Sequence, residues 1–229
     1  MNNIKFAALL PMKGHSERVK NKNLKSFNGM PLMCCILKTL TACAAVSEIY
    51  INTDSSEISD TALRYFPDVK IIERPAELCG DFVSMNDIIK YDMSVIDNEH
   101  FIQTHATNPL LTSKTLSAAC DMYINNINEY DSIFSVTKRQ TRLYDKNTKA
   151  VNHNPKELIR TQDLEPLYEE NSNIYIFSRK SFSASGARIG ENPKLFEMNS
   201  IEAVDIDNEI DFIFAEYLFK LREEGRLEI

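Results

Sequence analysis

Short apolar runs alternate along the chain with longer stretches in which apolar residues recur every three or four positions. Residues 4–11 are almost continuously apolar, as expected of a strand covered on both faces. The runs at 49–53, 69–73, 100–104 and 173–177 read as further short strands. Between them, the spacing predicts helices following the turn at 28–32 to about Ala45, over 86–96 with Ile88, Ile89, Met93 and Ile96 on one side, and over 112–124. Residues 54–57 carry a polar cap and an acid, a helix-start pattern. A last helix is predicted through Ile210, Ile213, Phe214, Tyr217, Leu218 and Leu221, which form one apolar stripe. Asn208 with Asp211 supplies its cap and Gly225 its stop.

Strands separated by helical patterns imply βαβ units. The expected fold class is α/β, a three-layer αβα arrangement around a mostly parallel sheet, in one domain over 1–229. In such sheets ligands lie outside the carboxyl ends of the strands. The polar segments 11–23, 74–87 and 104–109 each follow a strand, so all three are expected to line one crevice. Residues 138–170 are more polar and less regular. They read as an excursion before the chain returns to the sheet, carrying a hairpin or subunit contacts.

The charge pattern narrows the partner. A net charge of −7 over 229 residues argues against nucleic acid, whose binders present a basic face. Residues 13–25 nevertheless hold Lys13, Arg18, Lys20, Lys22 and Lys25 against one acid, Glu17, which points to a small anionic ligand or to a solvated loop. Five cysteines without a C-x-x-C pair read as buried thiols in a reducing cytoplasm. The apolar run at 6–12 is too short to span a membrane, and no export-signal pattern is present. The expected setting is cytoplasmic, with no membrane partner.

Four segments could carry chemistry. In Pro11-Met12-Lys13-Gly14-His15-Ser16, backbone amides near Gly14 and Ser16 could cradle phosphate oxygens while Lys13 and Lys22 neutralise them; the alternative is a solvated loop. Neither the P-loop nor the three-glycine dinucleotide fingerprint is present. Asp205 and Asp207, read as the end of a strand, would share one face and suit magnesium with substrate phosphates; alternatively Asp207 only caps the last helix. Arg74 offers forked donors to a base carbonyl or a phosphate, or else pairs with Glu77 or Asp81. His105 is a hydrogen-bonding or packing residue or, less simply, a base without a triad partner.

Taken in order, these segments resemble the acylneuraminate cytidylyltransferase family over about residues 4–220. The family's P-A-R-x-G-S-K-x-x-x-x-K-N loop is similar to P-M-K-G-H-S-E-R-V-K-N-K-N here, keeping Pro11, Ser16, Lys22 and Asn23. Its R-P-x-E-L-x-x-D segment is matched by Arg74, Pro75, Glu77, Leu78 and Asp81, and its Q-P-T-S-P-L-R segment by Thr107, Pro109 and Leu110. D-S-I-F-S-V at 131–136 and E-N-S-N-I-Y-I-F at 170–177 resemble its later strands, and Asp205 and Asp207 its D-I-D.

The resemblance implies a nucleotide-diphospho-sugar transferase-like (Rossmann-like) fold. It also implies magnesium (Mg2+)-dependent transfer of CMP from CTP to a nine-carbon 2-keto sugar acid, releasing pyrophosphate. By position, Lys13, Gly14, Ser16, Lys22, Asn23, Arg74, Ser84 and His105 would bind the nucleotide, with Arg74 on the cytosine. Asp205 and Asp207 would bind the metal and, with Lys22, carry catalysis. Arg142, Arg160, Gln162 and Asn171 are candidates for the sugar acid, and a homodimer formed through the excursion is implied by analogy. Three positions depart from the pattern: Lys13 stands for an arginine, Glu17 for a lysine and His105 for a glutamine. An eight-carbon sugar acid, another nucleotide, a glycosyltransferase of similar fold and a non-catalytic relative are the alternative readings.

Overall fold

A computed structural model describes residues 4–80 and 82–228, so Asp81 lies outside the described residues. The first apolar run forms β1 (Phe6–Leu9), fully buried. A long loop leads to a two-residue hairpin, β2 (Ser26–Phe27) and β3 (Met30–Pro31). Its turn residues, Asn28 and Gly29, have φ of 48° and 83°. A tight hairpin that follows the natural strand twist needs this left-handed pair, and Asn-Gly adopts it at least cost. There follow α1 (Met33–Ala42), β4 (Val46–Thr53), α2 (Ser56–Tyr65), β5 (Lys70–Glu73), α3 (Met85–Val95), β6 (His100–Gln103) and α4 (Ser113–Asn126). The chain closes with β7 (Ser132–Arg139), β8 (Leu167–Ser178), α5 (Arg179–Ser185), β9 (Pro193–Glu197) and α6 (Glu209–Glu223).

Seven strands form one sheet in the order β5-β4-β1-β6-β8-β7-β9. β5, β4, β1 and β6 run parallel, β8 is antiparallel to both its neighbours, and β9 is parallel to β7. Because strand side chains alternate faces, Phe6 and Ala8 of β1 join a core with Ile36, Leu37 and Leu40 of α1, Ile58 of α2 and Leu116 of α4. Ala7 and Leu9 join Ile89 and Met93 of α3 and Phe182 of α5 on the other face. The result is the three-layer αβα arrangement that the alternation of runs implies.

A third, smaller cluster lies off the sheet. Val19 of the basic loop, Phe27, Leu32, Ile206, Phe212 and Ala215 are buried together, and Phe27 meets Phe212 and Phe219 edge-on at 5.4 Å each. This cluster fixes α6 against the loop after β1.

Three expectations change. Residues 204–207 form no strand; a single amide bond, from Ile206 to the Thr107 carbonyl at 3.0 Å, replaces a ladder. The apolar stripe of the last helix faces mostly outward: Ile210, Ile213, Phe214 and Tyr217 are exposed and Leu218 and Leu221 half-buried, whereas Phe212 and Ala215, outside the stripe, are buried. The buried face is chosen by the small cluster, which needs only the narrower side of the helix. The last strand of the sheet's antiparallel pair begins earlier than predicted, because Arg139 pairs with Leu167, so the irregular arm shrinks to residues 140–166. Within the arm Tyr144 bridges Ala150 in an antiparallel turn, and Leu164 is buried while most of the rest is exposed.

Candidate active site

The carboxyl ends of β1, β5 and β6 open into a cleft of about 330 Å³. The three segments expected to meet there do so: Lys13, Ser16, Lys22 and Asn23 from the first loop, Arg74 after β5, and His105 to Thr107 after β6 all line it.

Lys22 sits where the loop meets the extended segment before α6. Its ammonium donates to the Ile206 carbonyl at 2.7 Å, between Asp205 and Asp207. Burial pulls its pKa below the ordinary lysine value, while the two carboxylates pull it back up. Arg18 bonds Asp207 at 2.6 Å in an exposed pair, of little energetic weight by itself. Asn208, not Asp207, caps α6, with Asp211 completing the capping box. Asp205 reaches the surface yet is crowded by protein; that lost solvation, and then Asp207, raise its pKa, opposed by Thr107 and Lys22. Asn108 approaches it at 3.4 Å.

Among the described residues no three His, Cys, Asp or Glu side chains form a ready-made metal cage. Two carboxylates are nevertheless a chemical fit for magnesium, which takes one or two of them together with waters and substrate phosphates.

Arg74 makes no ion pair with Glu77. Its Nε donates to Asn52 Oδ1 at 2.7 Å and its Nη2 to the Asn52 carbonyl at 3.0 Å, which aims the remaining guanidinium donors at the cleft. The Asn52 amide donates in turn to Asp92 at 2.5 Å. Burial pushes the Asp92 carboxyl up to about 7. His105 is pushed down to about 4, first by burial and then by the Arg188 and Lys22 cations, so it is neutral near pH 7.

Other expected residues sit elsewhere. The Gly14 amide donates to Asp54 at 2.6 Å, and a Cβ at Gly14 would lie 2.8 Å from that of Ser55. Gly14 therefore lets the loop pack on the start of α2 instead of offering its amide to a ligand. The Ser84 hydroxyl caps α3 by accepting from the Asp87 amide at 3.1 Å. Asn171 is occupied within the sheet, accepting from Ser135 at 2.6 Å and donating to Thr137 at 3.1 Å across the irregular β7–β8 pairing. Arg142 donates to the Ile159 carbonyl at 2.6 Å, Arg160 pairs with Asp163 at 2.7 Å, and the Gln162 carbonyl accepts from Gln140 at 2.8 Å. These three lie in the exposed arm and do not line the cleft.

Four residues around the cleft escape a sequence reading: Asn52, Asp92, Gln103 and Arg188. The one available signal is a polar side chain inside an apolar strand run, Asn52 in IYINT and Gln103 in HFIQT. Asp92 and Arg188 carry none.

The sequence model of the cytidylyltransferase family matches residues 7–226. An N-acylneuraminate cytidylyltransferase A of Danio rerio is 28% identical over 219 residues, covering 92% of this chain and 50% of that protein. A CMP-N,N'-diacetyllegionaminic acid synthase of Campylobacter jejuni is 28% identical over 221 residues, covering 92% and 93%. Among solved structures, a CMP:2-keto-3-deoxy-manno-octonic acid synthetase complexed with CTP superposes with a TM-score of 0.71 at 13% identity, over 95% of this chain and 99% of that one. At that identity the likeness concerns the fold.

Proposed function

We propose, because this chain belongs to the cytidylyltransferase family, that it transfers the cytidylyl group of CTP to the anomeric hydroxyl of a nine-carbon 2-keto sugar acid. The observation that carries the reading is the convergence of Lys13, Lys22 and Arg74 on one open cleft, with the Asp205–Asp207 segment tied to its Lys22 and Arg18. The sugar class is supported by the two relatives, both named for nine-carbon acids.

In the proposed reaction the sugar hydroxyl oxygen attacks the α-phosphorus in line. A new P–O bond forms as the bond to the bridging oxygen breaks, and pyrophosphate leaves with the electron pair. Lys13 and Lys22 hold the triphosphate and offset the charge that builds on it. Arg74, pinned by Asn52, presents donors to the cytosine, and Ser16 and Asn23 complete the grip on phosphate and ribose. Asp205 or Asp207 takes the hydroxyl proton through water. Magnesium held by those two carboxylates would polarise the phosphate oxygens. Positioning and charge neutralisation account for such a transfer without a covalent nucleophile.

Gly14 and Ser84 serve this site from behind, by packing the loop and capping α3. Arg142 and Arg160 do not line their own chain's cleft, so any role on the sugar carboxylate would be played in a second copy's site. A homodimer formed through the arm is supported by its exposed apolar residues, Tyr144, Val151, Leu158 and Ile159. Among the described residues no helix is long and apolar enough to cross a membrane, and free cysteines fit a cytoplasmic setting.

The test is pyrophosphate release with CTP and magnesium across nine-carbon and eight-carbon 2-keto sugar acids, with UTP, ATP and GTP as controls. Release requiring CTP and one nine-carbon acid supports the reading. Turnover confined to an eight-carbon acid, or supported equally by the other nucleotides, overturns it.

A further inference from the structure

Behind the cleft, a chain of hydrogen bonds ends on His105. Arg188, in the loop after α5, donates through Nη1 to Gln103 Oε1 at 2.6 Å and through Nη2 to the Tyr175 hydroxyl at 3.0 Å. Its guanidinium lies 3.6 Å over the Tyr175 ring. A guanidinium has donors only, so the oxygen of the fully buried Gln103 side chain must face it. The Gln103 amide nitrogen donates to the Thr104 carbonyl at 2.9 Å and meets His105 Nε2 at 3.0 Å. The carbonyl can only accept, so the amide orientation is fixed from both ends. With both amide hydrogens thus directed, His105 Nε2 faces an N–H and must carry a lone pair there.

We propose that Arg188 and Gln103 are positioning residues that hold His105 as its neutral, Nδ1-protonated tautomer, so that the cleft meets a hydrogen-bond donor at this position. The partner is an oxygen acceptor of the bound substrate. That it is an oxygen of CTP rests on the nucleotide reading above; the tautomer does not. The groups facing the ring agree with this state. Arg188 from the loop after α5 and Lys22 from the basic loop both repel a second ring proton, and among the described residues no carboxylate bonds the imidazole. Where the resembled family has a glutamine, the imidazole Nδ1–H supplies the same kind of donor.

The experiment is a two-bond proton–nitrogen correlation spectrum of the 15N-labelled full chain, without substrate, with the His105 signals assigned by their loss in His105→Gln. The expected pattern at pH 7 is a protonated Nδ1 and a bare Nε2. A protonated Nε2, or an imidazolium, at pH 7 overturns the proposal. Gln103→Glu turns the donor that fixes the tautomer into an acceptor that favours the charged ring. Its His105 should shift to Nε2–H or imidazolium with a titration midpoint raised by about one pH unit or more, and kcat/KM should acquire a further pH dependence at that new midpoint. A His105 pattern in Gln103→Glu identical to the parent's also overturns it. These spectra need no turnover, so a chain that proves inactive with CTP refutes the functional reading and leaves this one to be judged separately.

Discussion

Lys22 is half-buried against the Ile206 carbonyl, so its ammonium has already lost part of its hydration and gains most from a phosphate. A hydrogen bond to a charged group contributes about 1.5–3 kcal/mol. Lys22→Ala should therefore lower kcat/KM for CTP about 10- to 100-fold, which steady-state kinetics at saturating sugar acid would read; an unchanged value removes Lys22 from the triphosphate. Asp92 makes a prediction of opposite character. Its folded pKa, about 7, lies above the ordinary aspartate value of about 3.9, so between those pH values the folded state holds the extra proton. Stability from this group is thus present at low pH and lost as pH rises through 7, by up to about 4 kcal/mol. Asp92→Asn keeps an oxygen for Asn52 and should remove that slope. Urea unfolding at pH 6 and pH 8 would show parent and variant diverging, and parallel losses in both would exclude the account. The loop cations were legible in the sequence because they stand together after a strand. Asn52, Asp92, Gln103 and Arg188 were not, because a buried polar group takes its meaning from partners that lie far away in sequence, such as the 85 positions between Arg188 and Gln103.

Most strands and helices follow from periodicity, since a fully covered strand must be apolar throughout and a cap must be a short polar side chain. Asn208 caps the helix the pattern assigned it, and Thr112, read as the first residue of its helix, caps α4 instead. The segment around Asp205 was misread because an acid–apolar–acid triplet looks the same in a strand and in an extended tether, and only a neighbouring strand distinguishes them. The orientation of α6 was equally hidden. Its apolar stripe is real, but the face that is buried carries Phe212 and Ala215 and is chosen by Val19 and Phe27, whose presence beside the helix is a tertiary fact. Phe212 is the anchor of that contact, 3% exposed. Phe212→Ala should cost about 3–5 kcal/mol of stability and also weaken CTP use, because the carbonyl that holds Lys22 belongs to the tether preceding the same helix. Chemical denaturation and KM for CTP measured on one preparation test both. A stability loss with unchanged KM would uncouple the helix from the cleft.

At the scale of the whole molecule, four parallel strands carry the cleft at their shared carboxyl edge, while β8, β7 and β9 extend the sheet away from it and support the arm. Exposed Leu158 and Ile159, at 86% and 46%, bring the arm's apolar surface to water, the feature that supports pairing with a second copy. Leu158→Asp with Ile159→Asp should convert a dimer to a monomer in light-scattering chromatography; a parent that already elutes as a monomer refutes the dimer. The cleft is also stitched across the chain: Arg18 to Asp207 spans 189 positions, and Lys22 to Ile206 spans 184. During translation at about 5–20 residues per second, about 10–40 s separate the emergence of the two halves of that stitch. An incomplete chain on the ribosome therefore carries a cationic loop without its acidic counterpart. On the proposed reading the site is complete only once residues 205–207 have been made, and a chain that stops before Asp205 would carry the cationic loop without the carboxylates proposed to hold the metal.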